Sequence, residues 1–279
     1  MRNKNHAKRG NGKNATIMVV AVAAIMALIG ILAGFEKLRD IYLEQCIVTD
    51  MDSQVSISPG KMVKADVIAM EFGLKKGANL ALIDFGAKRK EILGRIHNLR
   101  NISITRRLPN RVAIVTEERE PIARLEIRGQ RSSTGKVIDS DGIVFMCVRG
   151  TRMLPAIREK AVPGTAAGRR PPPRVLAALK LIEACRDSEY QEFGILEIDT
   201  ANPDHLLVTI GNSYSKVKIA WEKMDEPESP TSIKSLNRQL SMLLKAMRSG
   251  IGEGAVIWNA TDLSKPGRIY ADMMKGTLK

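Results

Sequence analysis

Few residues in this chain combine the types and spacing that chemistry requires. The three histidines, His6, His97 and His205, lie far apart. No His-Glu-x-x-His run sets two of them on one helical face, so a zinc hydrolase lacks its ligands. Cys46, Cys147 and Cys185 are as widely scattered and show no metal-type pairing. They read as buried free thiols, or as one disulfide with one thiol left over. Asp139 and Asp141 suggest calcium, but the spacing and distal glutamate of an EF-hand loop are absent. Glu117, Glu118 and Glu120 carry carboxylates suited to general acid–base work; alternation along a half-exposed strand explains them without a substrate. The stretch "GIGEG" (250–254) follows a helical pattern and precedes a strand-like one, the reverse of the dinucleotide-binding order. No phosphate-binding loop and no Gly-x-Ser-x-Gly elbow occurs. The expectation is a non-enzyme with no cofactor, no metal and no small-molecule substrate.

Charge offers another chemistry. The chain has 279 residues and a formal net charge of +14, and "RRLPNRVAIVTEEREP" (106–121) sets four arginines around a short apolar run. Nucleic acid is the obvious partner for such a balance. Position argues otherwise. Arg2, Lys4, Lys8, Arg9 and Lys13 crowd the first 14 residues with no acid among them, and the remaining bases are interspersed with 30 acids. Aromatic residues make up 4% of the chain, too few for a base-stacking platform.

The stretch "ATIMVVAVAAIMALIGILAG" (15–34) decides the compartment. It is uncharged over 20 residues and as a helix spans about 30 Å, the thickness of a bilayer's hydrocarbon core. A secretory signal has a shorter apolar region, so the segment reads as an uncleaved membrane anchor. Five bases precede it, whereas Lys37 and Arg39 beyond it are balanced by Glu36 and Asp40. The positive-inside rule keeps the N-terminus cytoplasmic and exports residues 35–279, which removes nucleic acid as a partner.

The exported part alternates helical and extended patterns. A strand is expected near 45–57, then a short helix within 61–80 ended by Gly73 or Gly77, with Val63, Val67, Ile68 and Met70 on its apolar side. A second helix over 84–99 carries Phe85, Ile92, Leu93, Ile96 and Leu99 on one face, with Asp84 as N-cap. Two strands follow, with Ile102 and Ile104, then Val112 and Ile114, pointing inward; Leu108-Pro109-Asn110 makes the turn between them. Further on, "KVIDSDGIVFM" (136–146) is a hairpin about Asp141-Gly142. The proline- and glycine-rich 163–173 reads as a surface loop. A helix over 174–186, strands at 193–199, 205–210 and 215–221, a helix over 231–248, and strands at 255–260 and 268–273 complete an α+β pattern with an antiparallel sheet.

In this order, behind an anchor, the motifs resemble the bacterial cell-division family FtsQ, called DivIB in some bacteria. "ITRRLPNRVAIVTEEREPIARL" (104–125) is similar to that family's V-x-R-x-x-P-N-x-x-x-I-x-V-x-E-R-x-P-V-A pattern, through Arg106, Pro109, Asn110, Glu118, Arg119 and Pro121. "VIDSDGIVF" (137–145) is similar to its L-V-D-x-x-G-x-V-F, through Asp139, Gly142 and Phe145, and "KGANL" (76–80) matches the segment between two helices. The chain departs from the pattern at His97-Asn98-Leu99, where Pro-Trp-Val is common, at Leu108 in place of a tryptophan, and at the 163–173 insertion. "VIWNATDLSKPGRIYAD" is only loosely similar at the C-terminus.

The resemblance implies an α+β fold in five parts: a basic cytoplasmic tail (1–14), one transmembrane helix (15–34), a β-α-α-β-β POTRA domain (35–124), a mixed antiparallel-sheet β domain with two helices (125–273) and a tail (274–279). It further implies a non-catalytic divisome scaffold in the inner membrane at the division septum, with FtsB- and FtsL-like proteins as partners. Capture would use a partner strand added to the C-terminal edge, with Ile257, Trp258, Asn259, Ile269 and Tyr270 as contacts and core packing as the other reading of each. Two other classes compete: another POTRA-bearing export or assembly factor, and an anchored binder of anionic cell-wall polymer.

Overall fold

The computed structural model describes residues 11–129, 135–147, 150–159, 166–186, 189–211, 215–250, 254–263 and 268–272. Expectations for the tail at 1–10, the loop at 160–165, the centre of "GIGEG" (251–253), the link at 264–267 and the C-terminus from 273 lie outside them. The protein is α+β with two mixed sheets and one N-terminal apolar helix.

Helix α1 runs Asn11–Gln45, well past the apolar stretch. Residues 35–45 (FEKLRDIYLEQ) contain no glycine or proline and are mostly good helix formers, so nothing stops the helix where the apolar run ends. Its portion Met18–Gln45 is long and apolar enough to cross a membrane, and none of its most apolar window is buried.

The chain divides into two compact units, Met1–Pro59 with Lys64–Arg89 and Ile102–Thr116, and Gly60–Val63 with Lys90–Asn101 and Glu117–Lys279. In the first, the strand expected over 45–57 is interrupted. Ile47 makes a single bridge to Asn79, helix α2 (Met51–Gln54) follows, and strand β1 is confined to Val55–Ser58. Local side-chain bonds explain the break: Gln54 Oε1 accepts from the Thr49 and Asp50 N–H groups at 2.7 and 2.8 Å, and Ser53 donates to Asp50 at 2.6 Å. Such bonds compete with a ladder.

Helix α3 (Ala65–Phe72) ends at Gly73, which takes the left-handed conformation at φ 72° that a C-cap favours. Ile68 and Phe72 face the core while Met70, expected there, is exposed. Helix α4 (Phe85–Arg95) is shorter than expected but starts at the expected cap, Asp84 Oδ1 accepting from the Ala87 N–H at 2.9 Å. Strands β2 (Leu99–Arg107) and β3 (Arg111–Glu118) complete a sheet of order β1-β3-β2. β1 lies parallel to β3, with Val55 opposite Val112 and Ile57 opposite Ile114.

The second unit holds a nine-stranded sheet. Its strands are β4 (Ala123–Ile127), β5 (Lys136–Ile138), β6 (Val144–Met146), β7 (Ala156–Glu159), β8 (Ile195–Asp199), β9 (Leu206–Ile210), β10 (Lys216–Ile219), β11 (Ile257–Ala260) and β12 (Tyr270–Asp272), in the order β12-β11-β10-β9-β8-β7-β4-β5-β6. The antiparallel expectation needs correction, because the pairs β4–β7, β7–β8 and β10–β11 are parallel. Helices α5 (Pro173–Arg186) and α6 (Pro230–Arg248) pack on the sheet. Along α5, Val175, Ala177, Ala178, Leu179, Leu181, Ile182 and Cys185 are all buried, more of its surface than one stripe provides, as befits a helix enclosed in the core. Helix α6 opens on Ser229, whose Oγ accepts from the Ser232 N–H, with Pro230 in its first turn.

All three cysteines are free and buried. Burial pushes the Cys185 thiol up to about 12, so almost no reactive thiolate exists near neutral pH. A thiol-reactive dye is expected to leave the native protein unlabelled and to label Cys46, Cys147 and Cys185 once denaturant is added. Rapid labelling of the native chain at Cys185 would contradict this packing.

Candidate partner-binding edge

A finite sheet ends in two rows of N–H and C=O groups that need partners. On β6 the chain supplies them itself. Gly168 N–H donates to Val144 O at 2.7 Å, and Val144 N–H donates to Arg169 O at 3.3 Å. Asn98 Nδ2 donates to Met146 O at 2.9 Å. Glycine is required at 168, where φ is +82° and a Cβ would lie 2.3 Å from the His97 ring. The covering segment is further tied by Arg170, which bonds Glu228 at 2.5 Å and holds that carboxyl below its usual range. Both ends of this pair are half exposed, so it orients the segment more than it stabilises the fold. His97 and Asn98, two of the departures from the family pattern, thus help to close this edge.

At the other edge no strand pairs with the outer side of β12 among the described residues. β12 runs antiparallel to β11, with Trp258 opposite Ala271 and Asn259 opposite Tyr270. Asp272 O accepts from the Val256 N–H, so by strand alternation Ala271 turns its N–H and C=O away from β11. The expected contact residues separate here. Trp258 is 6% exposed and belongs to the main core, against which Ile269 also packs; Ile257 and Asn259 are half-buried; Tyr270 is 51% exposed. Tyr270 is therefore the aromatic presented on the edge strand.

The motif residues from the sequence gather at two places. Arg106 lies on β2 near the β2–β3 turn that holds Pro109 and Asn110; its guanidinium donates to Leu80 O at 2.9 Å and sits 5.4 Å from the Phe85 ring centre. The rest meet in the second unit. Glu118 accepts from three successive backbone N–H groups, those of Lys61, Met62 and Val63, each at 2.7 Å. Gly60 permits this approach, since a Cβ there would fall 2.0 Å from the Glu118 carboxyl carbon. Arg119 pairs with Asp139 at 2.6 Å and Asp141 at 3.4 Å, while its N–H donates to Asn98 O. Arg100 reaches Asp141 at 3.0 Å.

Asp139 Oδ1 also accepts from the Ile143 N–H, closing the turn at Gly142 that returns the chain into β6 and buried Phe145. Sequence reasoning treated Asp139 and Asp141 as turn residues and missed the arginines they hold. Glu118 and Arg119 are thus tied on several sides, and Pro121 stands two residues before β4. A cleft of about 490 Å³ beside them is lined by Arg100, Glu117, Arg119, Asp139, Glu183 and Arg186 among others. Most of these charges already face one another. No group of three or more metal-ligating side chains occurs among the described residues.

The Arg119–Asp139 pair is mostly buried, with side chains 16% and 4% exposed. Removing one partner of a buried pair leaves the other charge uncompensated, a loss of about 3–5 kcal/mol. Asp139→Ala is therefore expected to lower unfolding stability by about that amount, read by denaturant titration, while Arg119→Met/Asp139→Leu together recover part of it. A change of roughly 1 kcal/mol or less, the range of an exposed pair, would show that the bridge is not buried in solution. Set against known proteins, the chain matches no family model and no curated sequence.

Proposed function

We propose that this chain is a non-catalytic adaptor of the FtsQ/DivIB type, held in the inner membrane by α1 with its N-terminus cytoplasmic. Its exported part recruits FtsB- and FtsL-like division proteins to the septum. One observation carries the reading: among the described residues, the nine-stranded sheet closes its β6 edge with the chain's own backbone and leaves the outer side of β12 without a strand. An open edge suits strand addition, in which main-chain bonds supply affinity and alternate side chains select the partner. The order β1, α3, α4, β2, β3 agrees with a POTRA module, and the apolar α1 agrees with a single anchor.

Two measurements test it. A fluorescent fusion of the full chain is expected to form a mid-cell ring in dividing cells; a uniform membrane signal would count against the division role. Proline at 271 removes an outward N–H, and edge strands tolerate proline there. Ala271→Pro is expected to abolish co-purification of the FtsB-like partner without moving the unfolding midpoint. Undiminished capture by the folded variant would place the partner elsewhere.

A further inference from the structure

The β2–β3 turn holds a charge pattern that strand addition does not use. Residues 105–111 (TRRLPNR) carry three arginines and no acid. Arg106, Arg107, Leu108, Pro109 and Arg111 are exposed, Leu108 to 65%. The turn therefore presents an apolar side chain with basic neighbours in sequence, a combination suited to an anionic lipid interface.

Hydrogen bonds fix this hairpin close to the end of the membrane helix. Arg106 donates to Leu80 O, and Leu80 N–H donates to Cys46 O, one residue beyond α1. Asn79 Nδ2 donates to Leu43 O within α1, and Val48 N–H donates to Ala78 O. The register agrees. β1 begins at Val55, soon after α1, and Val55 lies opposite Val112 at the start of β3. The hairpin turn therefore lies at the end of the sheet where the chain arrives from the membrane.

Distance permits a lipid contact. From Gly34, the end of the uncharged run, to Gln45 is eleven residues of helix, about 17 Å at full height. The headgroup zone takes up roughly 5–7 Å of that, and a typical tilt lowers the rest. Residues 107 to 109 lead from Arg106 into the turn and reach at most about 10 Å beyond it, and electrostatic attraction acts over about 8 Å at physiological salt.

We propose that this hairpin tip is a second membrane contact, in which Arg107 and Arg111 bind anionic phospholipid headgroups, Leu108 enters the interface and Arg106 holds the hairpin in place. The proposal rests on α1 being the membrane span and is independent of any division partner. Arginines near an anionic surface attract it individually, and a small apolar wedge among them adds burial at the headgroup boundary. The contact would fix the first unit's orientation over the bilayer.

The test uses the full chain in nanodiscs containing a headgroup-nitroxide lipid. A fluorophore is placed by Leu108→Cys or, as a control further along β3, by Val115→Cys; the native cysteines are buried. Quenching at position 108 is expected in phosphatidylglycerol discs, with weak quenching in phosphatidylcholine discs and at position 115. Arg107→Gln/Arg111→Gln, which spares the structural Arg106, is expected to reduce it to the phosphatidylcholine level at an unchanged unfolding midpoint. Equal quenching in both lipids, quenching indifferent to the double substitution, or none in phosphatidylglycerol would each overturn the proposal. Failure of the chain to enter discs would instead overturn the anchor reading.

Discussion

The second unit depends on how a nine-stranded sheet ends. Each edge presents backbone groups whose unpaired burial costs free energy and whose unpaired exposure invites pairing with another chain. This protein treats its two edges differently. At β6, the 168–169 backbone and Asn98 occupy the edge groups, with Gly168 seated on the His97 ring. At β12, only the inner side is paired among the described residues. A protein that closed neither edge would risk polymerising, and one that closed both would have none to offer.

Polar groups also hold the closed edge. Glu118 and Arg119, neighbours in sequence, act in opposite senses: the carboxylate gathers three N–H groups from 61–63, and the guanidinium takes the carboxylates of Asp139 and Asp141. Asp139 in turn shapes the β5–β6 turn. The strand that the edge needs is thus positioned by the same residues that make the 104–145 stretch resemble a family pattern. Those residues read most economically as framework.

Much of this was legible in sequence where the signal is local. Asp84 capping α4, the Asp141-Gly142 turn and the apolar spacing of α6 each lie within a few residues of what they determine. The central strands β4 and β7 were not legible. In β4, Arg124 and Glu126 alternate with buried Ala123 and Leu125, and Arg158 of β7 bridges Glu126 and Glu197. Short charged strands acquire meaning only from parallel neighbours distant in the chain. The edge residues were half legible. Trp258 and Tyr270 are both aromatic, and only the register shows one in the core and the other at the surface.

The unequal edges are the central claim, and amide hydrogen exchange on the membrane-reconstituted full chain tests them most directly. The account predicts slow exchange at Val144 in the free protein, fast exchange at Ala271, and slowing at Ala271 when the partner is bound. Equal protection of Ala271 and Val144 without a partner, or an Ala271 amide unchanged by its binding, would contradict it.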